Sequence, residues 1–213
     1  MNIQIFSGFS LKLLMTFLMV IDHIGYFFPT APGYFRWLGR LVAPVFFFLA
    51  TEGYDHTRDR NSYIKRLYIG ALIMFIGNII LWLPFRAEPF ISNNIFFTLA
   101  VNLSLIKETE KKDKNIFLLI IFIFLTLIAE GSLLATILIM VFHHLKYDKK
   151  KMSLAYIVIS LLLIPNIQWM QLFALPFILM YNGQRGPNIK KFFYIFYPAH
   201  IWLLFLLSQY ISF

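Results

Sequence analysis
Asp22 and His23 stand side by side within the apolar run Lys12 to Phe28, KLLMTFLMVIDHIGYFF. Imidazole changes charge near neutral pH, so His23 is a candidate general base and Asp22 a candidate charge partner. At the centre of a membrane span a charged group costs roughly 3 kcal/mol on insertion scales, and such groups mark function by default. On a helix Met15, Met19, Asp22, His23 and Tyr26 share one broad face. Neighbouring residues point about 100° apart, so Asp22 is expected to pair with an arginine or amide of another element rather than with its neighbour's ring. The competing reading is an interhelical hydrogen-bond pair that holds a bundle together.

Further groups join this list. Arg36 and Arg40 are four apart, so one helical turn presents both on one face. Their expected partner is an anion: Asp22, Glu130 or a charged group on a substrate. The alternative is arginine reaching for lipid headgroups. Gly39 beside Arg40 allows close backbone approach. His200 lies inside the last apolar run with Phe193, Tyr197 and Leu204 on its face, as a second catalytic group or as a hydrogen bond to a neighbouring helix. Glu52 closes an apolar run, as a solvated helix terminus. The adjacent His143 and His144 lack metal-ligand spacing and read as interfacial. Asn78, Asn94, Thr98 and Asn102 supply amides and hydroxyls, which glue helices more often than they build sites.

The elements that must position these residues are membrane helices. Of 213 residues, 60% are hydrophobic, 19% aromatic and only 14% charged. A soluble domain needs far more polar surface. The expected fold is all-α: one polytopic bundle over residues 1–213, in a bacterial plasma membrane. The absence of cysteine excludes disulfides, thiolate catalysis and cysteine-ligated metal. The first apolar run is too long for a cleavable signal peptide and carries an acid. No phosphate-binding glycine loop, nucleophile elbow or metalloprotease helix is present.

Nine spans are expected at about 11–28, 38–54, 67–84, 94–106, 115–130, 132–145, 153–164, 168–182 and 192–211, several below the ~20 residues of a full crossing. The two around Glu130–Gly131 could form one bent element. With the N-terminus cytoplasmic, every Lys and Arg except Arg36, Arg40 and Arg86 falls on the inner side, as the positive-inside rule requires. The net charge of +9 is therefore explained by topology rather than by nucleic acid. The basic inner loops can still attract anionic headgroups or an anionic cytosolic cofactor.

Four blocks carry a resemblance: LKLLMTFLMVIDHIGYFFP, FRWLGRLVAPVFFFLATEGYDHTRDRNSYIKRL, NNIFFTLAVNLSLI and YNGQRGPNIKKFFYIFYPAHIWLL, together with Glu130-Gly131. In this order they resemble the TraX family of integral membrane proteins, which sits with the membrane acetyltransferases typified by pilin N-acetylation. Residues 107–128 and 145–178 match only in hydropathy. The resemblance implies transfer of an acetyl group from acetyl-coenzyme A to an amine or hydroxyl, with the donor cytosolic and no metal. By position it implies Asp22, His23, Arg40 and His200 for catalysis. Arg58, Arg66, Arg185, Tyr54 and Asn182 are implied for the coenzyme, and Arg36, Glu52, Asn94, Glu130 and Tyr197 for the acceptor. His23 would take the acceptor's proton, with Asp22 stabilising the imidazolium directly or through the structure around it. Arg40 or Asn94 would stabilise the oxyanion. An acyl-histidine relay is a variant. The acceptor is a peptide amine, an envelope sugar hydroxyl or a small molecule. Two other classes compete: a proton-coupled transporter, for which no inverted repeat is visible, and a non-catalytic assembly factor.

Overall fold
A computed structural model describes residues 4–85 and 91–210; the expected outer residue Arg86 lies outside them. Among the described residues every regular element is helical: α1 (Gly8–Phe27), α2 (Tyr34–Gly39), α3 (Val42–His56), α4 (Arg60–Phe85), α5 (Ile95–Thr109), α6 (Ile116–Ile128), α7 (Ser132–His144), α8 (Lys149–Leu161), a 3₁₀ helix (Ile167–Ala174), α9 (Leu175–Leu179) and α10 (Lys190–Tyr210). Each expected span has a helical counterpart. Among the described residues three helices are long and apolar enough to cross a membrane: α1, α4 and Lys191–Tyr210 of α10. The chain is a helical membrane protein. It divides into two compact units, one of residues 1–49 with 144–213 and one of residues 50–143.

In the first unit, α1 buries the row Leu11, Met15, Met19 and His23, each four residues from the last. That spacing advances little more than one helical turn per step, so the row stays on one face. α10 buries Tyr197, His200, Ile201 and Phe205. Because lipid is as apolar as leucine, close packing and buried polar contacts, rather than escape from water, hold such faces together. The start of α1 is sealed by the loop before α10. Gly8 N donates to Gln184 O (2.7 Å) and Phe9 N to Arg185 O (3.0 Å). Ser7 caps the helix through Ser10 N. Gly186 adopts a positive φ of 71°, and a Cβ there would meet Phe9 and Ser7 below 3 Å. Glycine is needed at that position on both counts. Tyr156 of α8 donates to Gln171 O and Gln171 reaches Ser160, tying the 3₁₀ helix to α8.

In the second unit α5 is buried almost along its length, while α6 presents Ile116, Phe117, Ile120, Phe124 and Ile128 outward. Gly70 lets Phe96 lie against α4, where a Cβ would fall 2.9 Å from the ring. The segment around Glu130 is two helices, not one bent element. Gly131 (φ 78°) and Ser132 (φ 43°) turn the chain between α6 and α7. A left-handed pair of residues cannot continue an α-helix.

Candidate functional site
The first unit gathers six of the expected residues: Asp22, His23, Arg36, Arg40, Tyr197 and His200. Asp22 Oδ1 accepts from Arg36 Nη1 at 2.6 Å and from Arg40 Nη2 at 3.0 Å. Arg36 also donates to the Asp22 carbonyl, and Arg40 Nε donates to the Arg36 carbonyl. One carboxylate thus answers two guanidinium groups, leaving a net charge of +1 on the trio. The Asp22 and Arg40 side chains are each 14% exposed. Arg36 also lies 5.3 Å from the Tyr26 ring centroid. Gly39 makes this possible, since an ideal Cβ there would stand 2.1 Å from Asp22 Cγ. The expected anion for the arginines is Asp22. Glu130 lies in the other unit with its own partners.

His23 has a different partner. Its Nδ1 is 2.8 Å from Nε2 of His200, with both rings buried. His200 Nδ1 lies 2.9 Å from the Phe196 carbonyl. Phe196 stacks on the His200 ring at 12° and Tyr197 packs on it edge-on. The buried row that ends at His23 points that ring at α10, and the preceding residue, Asp22, turns toward α2. The Asp22 carboxylate makes its hydrogen bonds to arginine, as expected of it, and the group in direct contact with the His23 ring is a second imidazole.

The remaining expected residues are dispersed. In the first unit Asn182 shapes its own loop, with its N–H on Phe6 O and its Oδ1 accepting from Gln184 N. Arg185 is exposed beside it and donates to Asn188. In the second unit Arg58 and Arg66 are exposed. Glu52 lies 3.9 Å from His56, one turn on. Asn94 caps α5, donates to Ala71 O, and takes Glu130 Oε2 on its backbone N–H. Thr98 donates to Glu130 O. Asn94 and Glu130 therefore brace α4, α5 and the α6–α7 turn.

The second unit also holds a cluster that the sequence did not reveal. His143 is buried within the protein, at 6% exposure. Its Nδ1 lies 3.5 Å from Asp55 and its Nε2 3.1 Å from Glu110. Tyr54, fully buried, donates to Glu110, and Arg60 donates to Glu110 while lying over the Tyr54 ring. The Tyr54 hydroxyl thus has a carboxylate as its acceptor. The ring nitrogens face opposite ways, and among the described residues no His, Asp and Glu set converges as a metal site. The available signal was the common end shared by α3, α5 and α7, which carries Asp55, Glu110 and His143.

Comparison with known proteins adds two findings. The model of the family described as TraX protein matches residues 7–208. A protein of Dichelobacter nodosus described as "Probable fimbrial assembly protein FimC, serogroup H1" is 26% identical over 246 aligned positions, covering 93% of this chain and 94% of that one. No solved structure matches.

Proposed function
This chain belongs to the TraX family, and from that premise we propose that it is a membrane-embedded acetyltransferase with His23 as general base. The supporting observation is the buried imidazole pair, His23 Nδ1 to His200 Nε2 at 2.8 Å, beside a trio of net positive charge. An acceptor amine or hydroxyl attacks the thioester carbonyl of acetyl-coenzyme A. His23 removes the acceptor's proton, the carbon–sulfur bond breaks, and the thiolate leaves to be protonated as coenzyme A. General-base help of this kind is typically worth ~10²–10⁴ in rate. Arg40 and Arg36, one charge in excess over Asp22, favour the oxyanion that forms on the carbonyl, or an anionic group on the acceptor.

Nine crossings with a cytoplasmic N-terminus place the end of α1, with Asp22 and His23, in the outer half of the membrane. The exposed Arg185, in the same unit as His23, then lies on the inner side, available to the coenzyme's phosphates. The Dichelobacter relative, described as a probable fimbrial assembly protein, supports a fimbrial subunit as acceptor. It equally favours a non-catalytic assembly factor. Wild-type membranes and membranes carrying His23→Ala, given labelled acetyl-coenzyme A and a fimbrial peptide, distinguish the two: a non-catalytic factor transfers nothing even as wild type. Loss of transfer by 10²-fold or more is expected for a base. Undiminished transfer removes His23 from that role.

A further inference from the structure
A neutral imidazole has one N–H and one lone pair, and the partner of one nitrogen decides the state of the other. A backbone carbonyl can only accept. His200 Nδ1, 2.9 Å from the Phe196 carbonyl, therefore carries the ring's hydrogen. His200 Nε2 is then a lone pair, and it faces His23 Nδ1 at 2.8 Å. His23 Nδ1 must donate, which leaves Nε2 of His23 as its basic nitrogen. Among the described residues no hydrogen bond falls on that atom.

We propose that His200 is a positioning residue: backed by the Phe196 carbonyl, it holds His23 in the Nδ1–H form and makes Nε2 the atom that receives the acceptor's proton. This deepens the acyl-transfer reading and rests on it. In a hydrolase triad a carboxylate sets the tautomer of the base. Here the nearby carboxylate is held by two arginines, and a neutral ring ending on a main-chain oxygen takes its place. Once Nε2 accepts a proton, His23 is an imidazolium and its bond to His200 becomes charge-assisted. The Nδ1 proton can then pass to His200 Nε2. The charge moves to His200, whose two N–H groups point at His23 and at Phe196 O. His23 is left neutral, with its new proton on Nε2 and its lone pair on Nδ1. Return of the shared proton to His23 precedes delivery of the Nε2 proton to the departing thiolate. The ring that does this is clamped by the stacked Phe196 and the edge of Tyr197.

Nitrogen-15 NMR of the full chain, histidine-labelled and in detergent, reads the tautomer without any turnover. Wild type is expected to show His23 protonated on Nδ1 and bare on Nε2, and His200→Ala to show His23 shifted toward the Nε2–H form. In acetyl transfer, His200→Ala lowers kcat by on the order of 10²-fold, within the general-base range, with KM for acetyl-coenzyme A unchanged. His200→Gln, whose amide oxygen can accept from Nδ1, regains about tenfold of that. A wild-type spectrum with hydrogen on His23 Nε2 overturns the assignment, as does a wild-type kcat in His200→Ala. If His200→Ala is fully active while His23→Ala is dead, only this inference falls. If His23→Ala is itself fully active, the base reading falls and this inference with it.

Discussion

Gly39→Ala tests the α1–α2 contact on which the arginine-bound carboxylate depends. The new methyl would stand 2.1 Å from Asp22 Cγ and Oδ1. Carbon contacts ordinarily sit at about 3.5–4.0 Å, so the two groups must part by about 1.4 Å. Rotating the aspartate does not relieve this, because its own Cβ would be 2.4 Å from the methyl. The backbone of α1 or α2 has to move. An added methyl in a packed site costs about 1–3 kcal/mol. The same shift stretches the 2.6 and 3.0 Å bonds from Arg36 and Arg40, and bonds to charged groups contribute about 1.5–3 kcal/mol each. Alanine's better helix propensity offsets at most about 1 kcal/mol. With one of the two bonds lost and the other re-formed after the shift, the net loss is about 2–5 kcal/mol, or roughly 4–20 °C in Tm for a chain of this size. Thermal unfolding in detergent, followed by tryptophan fluorescence, measures it. Gly33→Ala is the control: a Cβ there meets nothing within 4 Å, and its φ of −57° suits alanine. If Gly39→Ala melts with Gly33→Ala and wild type, the close approach of Asp22 to α2 is refuted.

Two further outcomes concern the second unit. His143→Leu leaves Asp55 and Glu110 without the ring between them, and is expected to cost about 2–3 kcal/mol in detergent unfolding. That is near the lower edge for breaking a buried polar pair, because Arg60 and Tyr54 remain on Glu110. Glu108 accepts from Lys111 Nζ at 2.5 Å and from Asn115 N, and these bonds hold its carboxyl below the usual carboxylate range. A depressed folded value stabilises the protein above the ordinary 4.5 and loses that contribution as pH falls through the folded value. Glu108→Gln should therefore flatten the acid side of the stability–pH curve, and an unchanged acid limb contradicts the contact.

The helical class and the membrane setting were legible in composition and in the apolar runs, because a backbone in lipid must bond within its own segment. So were Asp22 and His23 as the polar exception in the first span, and an anionic partner for the paired Arg36 and Arg40. The lateral partners were not. In a soluble helix the polar face marks which side looks outward. In lipid both faces of a helix are apolar, so rotation about its axis leaves little trace in the pattern. That rotation alone decides that His23 meets His200, 177 positions away in sequence, while Asp22 turns to the arginines. It also decides that Gly39 lies under a carboxylate, and that His143, at the end of its run, goes inward to Asp55 and Glu110.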